Sequence, residues 1–101
     1  MFNVLVMYPA GGKFDLDYYM KSHMPLVDAR FRPHGLTGWS VLKVGGGPGT
    51  PATYQIITRL EFETGGGFKA AIDASGPEVM GDIPNFTDTQ PLLQMGNVVP
   101  A

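Results

Sequence analysis

Apolar positions along the chain first alternate, then repeat every three to four residues, and these changes of period mark out its elements. The opening "FNVLVMYP" is apolar on both parities: Phe2, Val4, Val6 and Tyr8 form one set, Leu5 and Met7 the other. That pattern predicts a strand covered on both sides. "AGGK" breaks the chain, and "FDLDYYMKSHMPLVDARFR" then carries a helical period with helix-start chemistry, since Asp15 and Asp17 can accept from free backbone amides and suit the positive end of the dipole. Arg30 and Arg32 suit its negative end. "GLTGWSVLKV" and "TYQIITRLEFE" read as two further strands, joined by "GGGPGTPA", which is too rich in Gly and Pro to be either element. A second helix begins near "GGFKAAIDAS" and is expected to break at Gly76 and Pro77. "EVMGDIPNFTDTQP" then reads as a short helical turn followed by loop, and "LLQMGNVV" as the last strand.

The order β-α-β-β-α-β predicts an α+β fold of ferredoxin-like type, an antiparallel four-stranded sheet with both helices on one face. Residues 1–101 read as one domain, with no internal repeat. Leu5 and Met7, Trp39 and Val41, Ile56 and Leu60, with their opposite-parity neighbours, leave neither sheet face clearly polar. A sheet apolar on both sides with helices on one needs a second cover. The simplest is another copy of itself, so a homodimer is expected.

Advancing about 100° per residue along the first helix, Leu16, Met20, Met24, Val27 and Phe31 fall on one stripe, the expected core face. Tyr19, His23, Leu26 and Arg30 form a second stripe beside it, and Asp17, Lys21 and Asp28 lie opposite. Tyr19 and His23 are thus neighbours at the edge of the core, able to share a ligand or bond each other. Pro25 removes an amide that Lys21 would otherwise receive, at a cost of about 3 kcal/mol in a regular helix interior. An interruption just after His23 is therefore expected. Two readings of His23 follow: a core-edge histidine bonded to a backbone carbonyl, or a group facing a ligand.

Composition narrows the chemistry. At 101 residues the chain can bury roughly two-thirds of its unfolded surface without a metal or staple. There is no cysteine, hence no disulfide framework, thiolate metal site or catalytic thiol. The formal charge is −2, with seven scattered basic residues, so nucleic acid is an unexpected partner. The opening segment lacks a basic leader, and its apolar run is far shorter than the ~20 residues of a membrane span. A cytoplasmic protein is expected, with no membrane association.

His34, in "RPHG" next to a glycine, reads as a cap. The two histidines stand apart with no carboxylate at metal-site spacing, so no metal is expected. "GGGPG" and "TGGGFK" lack the phosphate-loop pattern, and no Gly-x-Ser-x-Gly elbow occurs. No cofactor is expected. In "GDIPNFTD", Asp82, Asn85, Thr87 and Asp88 are turn and cap formers, while Ile83 and Phe86 can anchor the loop, with Phe86 at the rim of a pocket.

Together, "DLDYYMKSHMPLV" and "DIPNFTDTQP" resemble the EthD family of the dimeric α+β barrel superfamily. The match runs end to end and includes the Tyr-x-x-x-His-x-Pro-Leu helix, here Tyr19, His23, Pro25 and Leu26. The resemblance implies homodimers whose sheets form a barrel, with a mostly apolar pocket in each subunit between sheet and helices. The family takes its name from a component needed in bacterial ether degradation alongside a haem monooxygenase. Superfamily relatives include cofactor-free monooxygenases, polyketide cyclases and lactone isomerases in which a His or Tyr handles protons. By this resemblance His23 and Tyr19 are the expected catalytic residues, and Leu26, Phe86 and Met20 the expected pocket wall.

Two functions stand side by side. One is an enzyme acting on a small, largely apolar or aromatic compound, with His23 as general base or acid and Tyr19 orienting it or donating to an oxyanion. The other is a non-catalytic binder serving a monooxygenase system.

Overall fold

The computed structural model describes residues 1–101. Four strands, β1 (Phe2–Pro9), β2 (Leu36–Lys43), β3 (Tyr54–Phe62) and β4 (Leu92–Asn97), form one sheet in the order β2-β3-β1-β4. Every neighbouring pair is antiparallel. Short α1 (Leu16–Tyr18), a π-helical turn (Tyr19–His23) and α2 (Met24–Phe31) make up the first helical segment, and α3 (Gly65–Gly81) the second. This is the expected ferredoxin-like α+β arrangement.

The pleat sorts the strands into two faces. Register places Val41, Thr58, Val6 and Leu93 in one row across the sheet. The neighbouring row is Trp39, Leu60, Val4 and Met95. These rows face the helices, and Val4, Thr58 and Leu60 are buried there. On the opposite face, Leu42, Ile57, Met7 and Leu92 form an apolar row spanning all four strands. No helix lies on that side to cover it.

Helix starts follow the sequence chemistry. Asp15 caps α1 by accepting from the Tyr18 amide at 3.0 Å, and Thr64 caps α3 by accepting from the Gly67 amide at 3.0 Å. Gly35, at φ 100°, ends the turn Arg32–His34 that follows α2. At Gly67 a Cβ would stand 2.3 Å from the His34 carbonyl oxygen, so only glycine lets α3 start this close to that turn. His34 thus sits in the terminating turn, where a capping role placed it.

The expected break in the second helix does not occur: α3 runs through Gly76 and Pro77 to Gly81. Pro77 lies on the exposed face, and the carbonyl deprived of its amide belongs to Asp73, which is exposed as well, so the loss costs little. Gly76 sits on the buried side, packed against Ile72. Burial of one face, at Phe68, Ala71, Gly76 and Val79, therefore holds a helix that local propensity would end.

The first helical segment is also not broken at Pro25. It is instead wound wider just before it, with the Met24 amide bonding the Tyr19 carbonyl five residues back. The irregular turn that Pro25 predicts is present, but as an inserted residue and not as a kink. One extra residue shifts the buried stripe before it by one position. Tyr19 therefore joins Met24, Val27 and Phe31 in the core, and Met20 turns out to 39% exposure.

Candidate functional site

The helix layer and the sheet enclose a cavity of about 50 Å³, several times the ~10–15 Å³ that one water requires. Its walls come from three strands and both helices: Val6 and Tyr8 of β1, Thr58 of β3, Leu93 of β4, Met24 of α2 and Ile72 of α3. Tyr19 and His23 also line it, and both are almost fully buried, at 1% and 3% exposure. The π turn puts them there. It brings two consecutive residues, His23 and Met24, inward where an α-helix would present one.

His23 is held by a residue far away in sequence. Its Nδ1 lies 2.9 Å from Asp82 Oδ2. The same carboxylate accepts from the Tyr18 hydroxyl at 2.7 Å and from the Asn85 side-chain amide at 2.9 Å, both through Oδ1. Asp82 ends α3, and the turn after it is tied back to the first helical segment: the Asp15 amide donates to the Phe86 carbonyl at 2.7 Å, and Phe14 bridges to Thr87. The loop is thereby fixed against the histidine it serves.

Electrostatics follow from these contacts. Burial raises the Asp82 carboxyl, but the bonds from Tyr18, Asn85 and His23 outweigh it and leave the pKa below the usual carboxylate value. Burial pushes the His23 imidazole below its ordinary 6.5, opposed by Asp82. The neutral ring with Nδ1–H donating to Asp82 is then the form at neutral pH. Nε2 keeps its lone pair, and the ring's one hydrogen bond to protein is the one at Nδ1.

Tyr19 stacks on His23, with ring centroids 5.2 Å apart and 17° between planes. Its hydroxyl meets Thr58 Oγ1 at 2.5 Å. Burial pushes the Tyr19 phenol up to about 12, and pushes Tyr8 up as well. Both phenols stay protonated at neutral pH, available as donors.

The remaining expected pocket residues are placed differently. Phe86 is buried against His23 and Tyr19, with centroids at 4.6 and 4.9 Å, so it backs the imidazole without lining the cavity. Met20 faces outward and Leu26 is half-buried beside the cavity; neither lines it. The angular reading assumed an unbroken 3.6-residue period, which the π turn offsets. Asp82, Thr58 and Tyr8 are the site residues that sequence reasoning did not single out for chemistry. A signal existed for two of them: Thr58 is a lone hydroxyl at a core-facing position of β3, and Asp82 lies in the motif read as a turn former.

No three His, Asp or Glu side chains converge to hold a metal ion. No helix is long and apolar enough to cross a membrane.

No family model matches the sequence, and no curated protein matches it significantly. Solved structures do. An EthD-like protein from Ralstonia eutropha JMP134 is 36% identical, covers 98% of this chain and 92% of its own, and superposes with a TM-score of 0.88. An ethyl tert-butyl ether degradation (EthD) family protein from Bacillus halodurans C-125 is 17% identical, with 98% and 99% coverage and a TM-score of 0.68. A dimeric ferredoxin-like protein from an uncultured marine organism is 17% identical, with 99% and 95% coverage and a TM-score of 0.65. The last two bear on the fold alone. At the identity and coverage of the first, the chain belongs to the EthD family.

Proposed function

We propose that this protein binds and acts on a small, largely apolar organic compound in the cavity between sheet and helices, with His23 as its proton-handling group and Tyr19 as a hydroxyl donor beside it. The observation that carries this reading is the state of His23. A buried imidazole is fixed through Nδ1 by Asp82, its one hydrogen bond to protein, and lines an apolar cavity. An apolar enclosure with a few converging polar groups is the usual form of a small-molecule site, and a neutral imidazole near its working pH is suited to general base chemistry.

The working unit in this reading is a homodimer in the cytoplasm. Support for the dimer comes from the uncovered apolar row Leu42, Ile57, Met7 and Leu92 and from the dimeric structural neighbour. Family membership adds bacterial catabolism or secondary metabolism as the setting, ether degradation with a monooxygenase system among its forms.

A second reading, a non-catalytic carrier, has its own observation: His23 is the single acid–base group near neutrality on the cavity wall, and no carboxylate lines the cavity. One experiment separates the two. Wild type and His23→Ala are mixed with a panel of single-ring hydrocarbons, phenols, ketones and alkyl ethers, and followed by NMR for binding and for chemical change. Conversion by wild type that His23→Ala loses while still binding establishes the enzyme. Binding without conversion in both establishes the carrier. Failure of every probe to bind overturns the pocket itself.

A further inference from the structure

Asp82 is anchored through the oxygen that His23 does not use. An ionised carboxylate offers about two lone-pair sites on each oxygen, and those on Oδ1 are taken by the Tyr18 hydroxyl at 2.7 Å and the Asn85 amide at 2.9 Å. Turning the carboxylate about its Cβ–Cγ bond would break both contacts, so Oδ2 is the oxygen left to His23, 2.9 Å from Nδ1. Asn85 Nδ2 also lies 3.5 Å from the Tyr18 oxygen. An amide nitrogen only donates, so the phenol oxygen accepts there and its own hydrogen goes to Asp82. Tyr18 is itself held from elsewhere. Its backbone amide donates to the Asp15 side chain at 3.0 Å, and its ring stacks on Phe86, with centroids 6.4 Å apart and 23° between planes. Two supports that do not involve the carboxylate thus aim the hydroxyl.

A neutral imidazole has one proton for two nitrogens, and which of them carries it is set by the hydrogen bond the ring makes. With Asp82 ionised and its Oδ1 filled by donors, a lone pair on Nδ1 would meet a lone pair on Oδ2 at 2.9 Å. A proton on Nδ1 turns that repulsion into a hydrogen bond and leaves the basic lone pair on Nε2. Resting on the reading of His23 as the proton-handling group, we propose that Tyr18, assisted by Asn85, is a positioning residue: it holds Asp82 Oδ2 on Nδ1 and so decides which ring nitrogen is the base. Neither Tyr18 nor Asn85 lines the cavity. Their effect passes through Asp82 alone. Without the Tyr18 hydroxyl, Oδ1 keeps only the amide of exposed Asn85, for which water competes. The carboxylate can then swing, and the two tautomers come closer in population. A bond that merely tied α1 to the end of α3 would leave the tautomer as it is.

Long-range proton–nitrogen NMR spectra of the 15N-labelled full chain read the tautomer, because protonated and bare ring nitrogens resonate far apart. They are recorded at about pH 8, where the ring is neutral, and His23→Gln identifies which signals belong to His23 and which to His34. In wild type the proton is expected on Nδ1; a ring protonated at Nε2 overturns the proposal. Tyr18→Phe keeps an aromatic ring for Phe86 and removes the hydroxyl alone. In this variant the population protonated at Nε2 should rise about threefold or more, a shift within the net value of one hydrogen bond. Asn85→Ala should move the ratio in the same direction by less. A folded Tyr18→Phe with the wild-type ratio overturns the positioning role and leaves a structural tie. If Tyr18→Phe does not fold, Asn85→Ala decides, since it strips the same oxygen from the surface, and an unchanged ratio there overturns the role. The spectra need no ligand. An unchanged ratio therefore leaves the reading of the cavity in place, and a cavity that takes no probe fails separately, with the tautomer result standing.

Discussion

His23 and Asp82 are joined by a 2.9 Å contact across 59 positions of sequence, and this contact couples the π turn to the end of α3. Replacing the carboxylate removes the acceptor for three donors at once, those of His23, Tyr18 and Asn85. Asp82→Ala is expected to cost about 1–3 kcal/mol of stability, the range for leaving a buried donor unsatisfied. Because Asp82 opposes the effect of burial on the ring, the imidazole pKa should also move further down in this variant. Denaturant unfolding measures the first effect and an NMR titration of the imidazole the second. An unchanged titration would show that the contact does not govern the ring.

The same pair sets the direction of a pH dependence. His23 has a folded pKa below its ordinary 6.5, so between the two values the unfolded chain binds the extra proton. Stability contributed by the neutral ring is therefore present above pH 6.5 and declines as pH falls from there toward the folded value. Asp82, depressed below 3.8, loses its contribution only at still lower pH. Thermal unfolding temperatures of wild type should fall from pH 7.5 to pH 5 more steeply than those of His23→Gln. Parallel curves would contradict the burial of a neutral imidazole.

Tyr19 and Thr58 are each the hydrogen-bonding partner of the other. Thr58→Val and Tyr19→Phe should each destabilise by about 1–3 kcal/mol, since each leaves one buried hydroxyl without its partner. The double variant should be less destabilised than the sum, with the difference measured by chemical unfolding. Strict additivity would mean that the two hydroxyls do not interact in solution.

The π turn admits a direct test. Deleting exposed Ser22 removes the extra residue and lets α1 and α2 join as one regular helix in phase with the core. The variant is expected to fold but to lose about 1–3 kcal/mol, because His23 and Asp82 no longer meet. It should also lose the normal imidazole titration, as His23 is drawn away from Asp82. Retention of a wild-type imidazole signal would separate the histidine's placement from the turn.

The strands were legible because each is a short, locally apolar run set off by Gly and Pro breakers: "FNVLVMYP", "TYQIITRLEFE" and "LLQMGNVV" each contain the strand observed. The two helix misreadings have separate causes. Pro77 ends a helix by propensity but is tolerated on a solvated face. The extra residue before Pro25 changes phase without any marker that an angular reading could register. The burial of Tyr19 and His23 on the core side was foreshadowed by their spacing. Asp82 as the histidine's partner was not, because a contact between α3 and the first helical segment exists only once the sheet has set where both helices lie.

The uncovered sheet face leads to a prediction about assembly. Ile57 sits at the centre of the apolar row, between Leu42 and Met7. Ile57→Asp places a charge in the surface proposed to meet a second copy, and should weaken association at least tenfold or leave the chain aggregated. Sedimentation across a concentration series measures this. Unchanged mass for the variant, or a folded monomer for wild type at micromolar concentration, would remove the second copy from the proposed function.

Met80 is 46% exposed and at the same time part of the cavity wall. Its thioether chain has three rotatable bonds and no branched carbon to stiffen it. Rotation of that side chain, on a picosecond-to-nanosecond scale, alters how much of the cavity wall meets solvent. That part of the wall is also chemically vulnerable. Oxidation of that sulfur to the sulfoxide would put a polar group on an apolar wall, making the cavity's lining sensitive to oxidising conditions while the imidazole stays intact.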